Sequence, residues 1–219
     1  RTFKWVSGVR TLKSQSIYAG AKGEENIETS FTYRDGLESK IKDRTAYYYG
    51  TYSAATASDI YSLTKTDTFK YDVDGVTELY KKSMSIYQGE KGAENIDYTE
   101  TYYSTGSLKD ITRYFYGADG TIAAGNAGDV ESLHDTKTFK LVEGSEKIKS
   151  QSFYQGAKGE ENVSLSKNFY NGDTTSIKDE TDYFYGTYTA ATASDIFALT
   201  NTRTFKWVSG VRTLKSQSI

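Results

Sequence analysis

Hydrophobic and polar residues alternate with a period of two along most of the chain. One alternating set runs from Ile41 to Tyr49, and its pattern recurs over residues 108–116 and 177–185. A second set, Tyr61 to Phe69, leads into a Thr-Phe-Lys motif and recurs over 197–205. Thr, Tyr, Phe and Ile favour a pleated surface, and residues i, i+2 and i+4 of a strand share one face. The pattern therefore predicts β-strands, each of these sets forming one continuous strand.

Dipeptides ending in glycine separate the alternating segments. They are Ser7-Gly8, Asp35-Gly36, Asp74-Gly75, Thr105-Gly106, Glu143-Gly144, Asn171-Gly172 and Ser209-Gly210. Type I′ hairpin turns need two residues with positive φ, which Asn-Gly and Asp-Gly supply at low cost. We therefore expect hairpins at these positions. The alanine-rich run 52–58 is too short for more than one helical turn and is predicted to be a loop.

The chain is internally repetitive. Residues 1–17 and 203–219 are identical, and Thr-Phe-Lys recurs at 2–4, 68–70, 138–140 and 204–206. The repeats are 1–66 (repeat A), 67–136 (repeat B) and 137–202 (repeat A′), and 203–219 starts a further repeat. Repeats A and A′ share 38 of 66 positions. A 202-residue block that begins again with the same sequence indicates a window on a longer array.

Two loop motifs and a Lys-Asp pair recur in each repeat. The motif G-x-K-G-x-E-N occupies 20–26, 89–95 and 156–162, and Ala-, Thr- and Ser-rich loops occupy 51–58, 118–128 and 187–194. The Lys-Asp pairs are 42–43, 109–110 and 178–179. These signals predict an all-β, antiparallel hairpin array, an open meander or solenoid with four strands per repeat of about 67 residues. Because Lys65 and Asp67 lie mid-strand, we expect a thin sheet that leaves them unburied, and not a sandwich.

Composition excludes several classes of function. There is no Cys, so disulfides, thiolate zinc sites and cysteine nucleophiles are ruled out. The net charge of −2 gives no reason to expect nucleic acid, and no apolar run approaches the length that spans a membrane. There is no Pro, as expected where nearly every backbone N–H is needed in a ladder.

Few residues suggest chemistry, and each has a structural alternative. His134 is the single histidine, and the equivalent residues of the other repeats are Thr64 and Thr200. We therefore interpret His134 as a residue on the strand surface and not as a catalytic residue. The G-x-K-G-x-E-N loop resembles a phosphate loop but lacks the G-K-[ST] ending, which favours a β-connection. Asp72 and Asp74 hint at calcium, against a plain turn.

Acidic and aromatic groups leave further alternatives open. Glu24-Glu25 and Glu160-Glu161 could bind calcium weakly or pair with Lys22 and Lys158. The aromatic runs 47–49, 114–116 and 183–185 could pack across strands or expose a glycan-binding row. The sequence predicts no catalytic, cofactor-binding or metal-binding residue and no enzymatic activity.

Two segments resemble known hairpin repeats. Residues 69–79, Phe-Lys-Tyr-Asp-Val-Asp-Gly-Val-Thr-Glu-Leu, resemble the YD (Rhs-type) repeat, and residues 102–109, Tyr-Tyr-Ser-Thr-Gly-Ser-Leu-Lys, are similar to the MORN-type hairpin. YD-type proteins use such hairpins in large extracellular β-shells and stalks. The resemblance thus implies a β-hairpin scaffold outside the cell.

Two functions follow as expectations. The first is a structural segment of a long extracellular or surface-displayed repeat protein that builds a fibre, stalk or shell, with neighbouring repeats or copies of the same protein as partners. The second is a multivalent adhesin-like module that binds surface glycans or another partner through its repeated loops. Neither expectation includes membrane insertion or a cofactor.

Overall fold

The computed structural model describes residues 1–57, 60–193, 198–208 and 210–218. Within these ranges the chain forms fourteen β-strands and one short 3-10 turn, Ala124–Asn126. The strands are β1 Thr2–Val6, β2 Val9–Ala19, β3 Asn26–Tyr33, β4 Ile41–Tyr48, β5 Lys65–Tyr71, β6 Glu78–Gln88, β7 Asn95–Tyr102, β8 Leu108–Tyr116, β9 Leu133–Val142, β10 Ser145–Gln155, β11 Asn162–Phe169, β12 Ile177–Phe184, β13 Asn201–Val208 and β14 Val211–Ser218.

The chain divides into two compact segments, Arg1–Lys109 and Asp110–Ile219. In the first, β1 to β7 pair antiparallel, each with the next strand in the sequence. In the second, β8 to β14 pair in the same way. Both segments are antiparallel meanders, which confirms the predicted all-β hairpin array.

The turns show why glycine ends each dipeptide. Ser7-Gly8 and Glu143-Gly144 form two-residue hairpins in which both residues have positive φ, as type I′ requires. Asp35-Gly36 and Asn171-Gly172 also have positive φ at both residues, but inside longer loops between paired strands. At Asp74-Gly75 and Thr105-Gly106 only the glycine is positive. Ser209 lies outside the described residues.

A β-bulge recurs at the Thr-Phe-Lys motif. The pairing register shifts between its Thr and Phe at 2–3, 68–69 and 204–205, and between the residues opposite them at 148–150. One lysine on the second strand is thereby left without a partner in the ladder: Lys13, Lys82, Lys149 and Lys215. A bulge re-aims the side chain of its extra residue. These bulged lysines contribute to the contacts between repeats described below.

The apolar core is small and lies at the loop edge of the sheet. Tyr49 packs with Ala54 and Ala57, Tyr116 with Ala124 and Ala127, and Tyr185 with Ala190 and Ala193. The predicted alanine-rich loop is confirmed over residues 52–57, while Ser58 lies outside the described residues. Ala54 and Ala57 are each 3 % exposed, and Ala55 is exposed. A methyl side chain is small enough to let the loop backbone pack against the tyrosine ring.

Two predictions about the strand that opens each repeat are wrong. Residues 61–64 and 199–200 are irregular, and the strands begin at Lys65 and Asn201. Tyr61 leaves the sheet because its ring stacks on Tyr52, with centroids 3.8 Å apart, and its hydroxyl bonds that of Tyr52. The part of the second alternating set at 196–197 lies outside the described residues.

The second error concerns buried charge. Asp67 is 5 % exposed and Asp135 is 3 % exposed, although the sheet is one layer. Lys65 reaches the Asp67 carboxylate at 2.9 Å, while Asp135 accepts a 2.7 Å hydrogen bond from Gln151. Long side chains of the same strand and of the next strand cover the short carboxylate, so a thin sheet can bury a charge that has partners.

Candidate functional site

The repeated residues converge where one repeat meets the next. We call each such place a junction: A to B, B to A′, and A′ to the further repeat that starts at residue 203. The A-to-B junction lies in the first compact segment and the other two lie in the second. In the described residues, the first two junctions show three sets of contacts, at the loop edge, in mid-sheet and across the Thr-Phe-Lys phenylalanine. The third junction shows the last two sets.

The asparagine that ends G-x-K-G-x-E-N holds the alanine-rich loop. The Asn26 side-chain amide donates to the carbonyl oxygens of Ala57 at 2.6 Å and Ala54 at 3.4 Å. Asn162 repeats both contacts with Ala193 at 2.6 Å and Ala190 at 3.3 Å. One buried amide therefore satisfies two loop carbonyls that no strand reaches.

The glutamate of the motif joins its own loop to the preceding repeat. One oxygen of Glu94 accepts the Gly92 N–H at 2.8 Å, and the other accepts the Leu63 N–H at 2.9 Å. Glu161 does the same with Gly159 at 2.8 Å and Leu133 at 3.0 Å. The glutamate thus holds the chain beside the start of the following strand, two residues before β5 at Leu63 and at the first residue of β9 at Leu133.

The lysine of the motif also reaches back into the preceding repeat. Lys91 donates to the side-chain oxygen of Asn26 at 3.0 Å, and Lys158 donates to the carbonyl oxygen of Gly128 at 2.7 Å. The loop that resembles a phosphate loop is therefore a connection between repeats. Its first glycine is required by space: at Gly156, with φ +127°, an added Cβ would lie 2.6 Å from the carbonyl oxygen of Glu160.

In mid-sheet the bulged lysines bind the aspartates of the Lys-Asp pairs. Lys149 meets Asp110 at 2.9 Å and Lys215 meets Asp179 at 2.8 Å. At the A-to-B junction Lys82 lies 3.6 Å from Asp43. The aspartate always belongs to the preceding repeat. This contact explains why the aspartate of the Lys-Asp motif recurs at the same place in each repeat.

A charged pair lies across the phenylalanine of Thr-Phe-Lys at each junction. Arg44 binds Glu78 at 2.9 Å and lies over Phe69, 4.7 Å from the ring centroid. Arg113 binds both oxygens of Glu146 at 2.9 Å and lies 5.4 Å from the centroid of Phe139.

At the third junction the charges are exchanged, and its two acids occupy both positions used above: Glu180 faces Phe205 as Arg44 faces Phe69, and Asp182 corresponds to Arg113, two residues further along the strand. Arg212 binds Glu180 at 2.9 Å and Asp182 at 2.6 Å, and lies 3.7 Å above Phe205. Both carboxylates raise the pKa of Arg212, with the hydrogen bond to Asp182 the largest cause.

The aromatic runs pack, as one of the two alternatives predicted. The hydroxyl of Tyr49 donates to the carbonyl oxygen of Ile27 at 2.9 Å, and Tyr185 does the same to Val163. Burial is the main cause that raises the pKa of both phenols. On the opposite face Lys65 lies 4.0 Å from the ring centroid of Tyr48.

His134 lies in β9, half-buried. Its Nδ1 is 2.9 Å from an oxygen of the buried Asp135, and its ring meets Phe153 edge-on. It borders an open groove of about 540 Å³, whose other lining residues include Leu133, Tyr154, Gln155 and Ser164. A second groove of about 420 Å³ in the first segment is lined by Tyr47, Tyr48, Tyr52 and Glu28, among others.

The carboxylates of Asp72 and Asp74 are hydrogen-bonded within their own turn. One oxygen of Asp74 accepts the N–H groups of Val76 and Thr77, and the other accepts the Thr77 hydroxyl. Asp72 accepts the N–H of Val73. The described residues contain no group of three side chains placed to hold a metal ion. No helix in the described ranges has both the length and the apolar character needed to cross a bilayer.

The junction contacts were only partly visible in the sequence. The recurring motif residues were found in the sequence, but the residues that they bind were not. The cross-phenylalanine pairs were missed, because their charges change from repeat to repeat and repeat alignment searches for identity. The signal that could have found them is a charge on the last strand of a repeat whose sign is opposite to that of the charge on the second strand of the next repeat.

Comparisons with known proteins give little. No protein-family model matches the chain, and no curated protein matches it. A solved structure described as "Crystal Structure of TcdB2-TccC3-Cdc42" aligns with 92 % of this chain at 15 % identity and a TM-score of 0.17. The chain corresponds to 12 % of the length of that chain. This is a weak structural similarity.

Proposed function

We propose that this chain is a segment of a structural repeat array, a building part of an extracellular fibre, stalk or shell. The observation that carries the proposal is the use of the repeated motif residues. Glu94, Lys91 and Lys82 each bind the preceding repeat, and Glu161, Lys158 and Lys149 do the same one repeat later. The residues that recur serve to join repeats.

The physical chemistry fits such a role. An array in which each repeat contacts mainly its neighbours gains stability by adding repeats and extends in one dimension. Its core is thin, so much of its stability comes from pairs between adjacent strands, each worth about 0.2–1 kcal/mol. The proposal includes no catalytic step.

The test is a change of repeat number. The 219-residue chain is compared with the same chain extended by one further 202-residue block, in urea unfolding followed by circular dichroism. Joined repeats should unfold together, with a higher midpoint and a larger denaturant dependence for the longer chain. Equal midpoints would contradict the array. Antibody labelling of intact source cells, with and without permeabilisation, tests the extracellular location.

One observation favours a second candidate, a glycan-binding module. The groove of about 420 Å³ brings together Tyr47, Tyr48 and Tyr52 beside the carboxylate of Glu28. Aromatic faces and a carboxylate acceptor suit sugar C–H and O–H groups. A glycan array probed with the chain and with its Tyr52→Ala variant tests this. Binding that the variant loses would support it, and no binding at any glycan would contradict it.

A further inference from the structure

The charged pairs across the phenylalanines differ in polarity between junctions. We call the charged residue on the second strand of a repeat its leading residue: Arg10, Glu78, Glu146 and Arg212. We call the charged residue on the last strand of a repeat that binds the next leading residue its trailing residue. Arg44 and Glu180 face the phenylalanine in the ladder, whereas Arg113 lies two places further along its strand and faces Lys137. The leading residues are equivalent by register, because each faces the residue two places after the phenylalanine, namely Trp5, Tyr71, Leu141 and Trp207.

Every observed junction joins opposite charges. The trailing residue of repeat A, Arg44, binds the leading residue of repeat B, Glu78. The trailing residue of repeat B, Arg113, binds the leading residue of A′, Glu146. The trailing residue of A′, Glu180, binds the leading residue of the further repeat, Arg212. That further repeat is identical to the start of A, so an A-type start carries arginine and the other two starts carry glutamate.

We propose that these pairs determine which repeat can follow which, so that an A-type start is accepted only by an A′-type end. The partner of that end is therefore a second copy of the block, entered through its own repeat A. The inference deepens the proposed array function and rests on it.

The alternatives would oppose like charges. Repeat A followed by A would place Arg44 against the residue equivalent to Arg10, and A′ followed by B would place Glu180 against Glu78. These side chains are only partly exposed: 34 % for Arg212, 11 % for Glu180, 29 % for Arg44 and 37 % for Glu78. Like charges facing each other across strands destabilise the pairing, and more so when water is partly excluded.

The residues next to the trailing residue differ between repeats A and A′ and suit the charge that each repeat carries. Beside Glu180, Lys167 approaches at 3.7 Å, and Asp182 adds a second acid for Arg212. In repeat A the same positions are Phe31 and Ala46, opposite Arg44 and Asp67 in the ladder. The surroundings thus change together with the sign of the trailing residue.

The test transplants one polarity onto another junction of the full chain. The triple variant Lys167→Phe, Glu180→Arg, Asp182→Ala gives A′ the residues that repeat A has at these three positions. We call this variant the A-type end. It is combined with native Arg212 or with Arg212→Glu. Arg212→Glu alone completes a four-member set with two opposite-charge and two like-charge junctions.

The measurement is peptide-level hydrogen exchange over β13 and β14, with β9 and β10 of the same protein as internal reference. We expect exchange in the two like-charge variants to be about fivefold faster, the upper range for one partly exposed charge pair. The A-type end combined with Arg212→Glu should return to within about twofold of the unmodified chain.

Two outcomes would overturn the proposal. Equal exchange in all four proteins would mean that the junction is indifferent to charge. Faster exchange over β13 and β14 in both Arg212→Glu proteins would mean that the contact of Arg212 with Phe205 dominates. Arg212 would then have a structural role and would not select the preceding repeat. Either outcome leaves the repeat-number experiment unaffected, so failure of the selection rule and failure of the array function are distinguishable.

Discussion

The side-chain amide of Asn26 donates a 2.6 Å hydrogen bond to the carbonyl oxygen of Ala57, 31 residues further along the chain. This bond ties the G-x-K-G-x-E-N loop of repeat A to its alanine-rich loop, whose Ala54 and Ala57 pack with Tyr49. Because Asn26 also accepts from Lys91 of repeat B, the same side chain connects the loop core of one repeat with the next.

Replacing Asn26 with alanine should lower the free energy of unfolding by about 1–3 kcal/mol. The carbonyl oxygens of Ala54 and Ala57 would lose their side-chain donor in a buried loop. Urea unfolding followed by circular dichroism measures the change. Asn168→Ala removes an exposed amide from β11 and is the matched control, with an expected change within about 0.5 kcal/mol. Equal effects of the two substitutions would contradict this role.

Replacing Gly156 with alanine should destabilise the chain more than replacing Gly159. Both glycines have positive φ, which costs an L-residue about 1–2 kcal/mol, but only at Gly156 would the new Cβ strike backbone, 2.6 Å from the Glu160 oxygen. At Gly159 no atom lies within 4 Å of the added carbon. Thermal unfolding of both variants side by side gives the comparison. A smaller loss at Gly156 would show that the loop relaxes freely.

Stability should fall as the solution becomes strongly alkaline. Burial raises the pKa of Tyr102, and its hydrogen bond to the Glu100 carboxylate raises it further. The folded pKa lies above the unfolded value of about 10, so this tyrosine's contribution is complete below that pH and is lost as pH rises above it. Tyr102→Phe should therefore make unfolding midpoints between about pH 10 and 12 less dependent on pH.

The control for this titration is Tyr103→Phe. Tyr103 is the next residue in the sequence and is 52 % exposed, so its substitution removes the same hydroxyl group from a solvated position. An unchanged alkaline slope in Tyr102→Phe, or an equal change in both variants, would assign the alkaline loss to other tyrosines.

Stability should also fall in acid, in part through Asp173. Its carboxylate accepts the Thr175 N–H at 2.9 Å and hydroxyls of Thr175 and Ser176, and these bonds lower its pKa. A depressed folded pKa stabilises the fold above the unfolded value of about 4, and the contribution is lost as pH falls through the folded value.

The variant Asp173→Asn should thus show a shallower decline of the unfolding midpoint between about pH 4 and pH 2 than the unmodified chain. Glu143→Gln, in the exposed turn between β9 and β10, is the control and should leave the slope unchanged. A steeper decline in Asp173→Asn would contradict the sign of the shift.

The sequence by itself determined the hairpins. Period-two alternation and X-Gly dipeptides act over a few residues, so they are readable without knowing any distant neighbour, and the paired strands follow them. The internal repeats were visible for the same reason, because identity of letters needs no coordinates. What alternation could not decide was where a strand begins: Tyr61 continues the pattern but leaves the sheet to stack on Tyr52.

Only the tertiary structure decided what the repeated motifs are for. The Asn26–Ala57 bond, the hydrogen bond of Glu94 with Leu63 and the contact of Lys149 with Asp110 all join residues 31–39 positions apart. Such contacts depend on pairing register and on a bulge that re-aims one lysine, neither of which alternation encodes. Burial of Asp67 has the same origin, since the side chains that cover it come from its own strand and from β6.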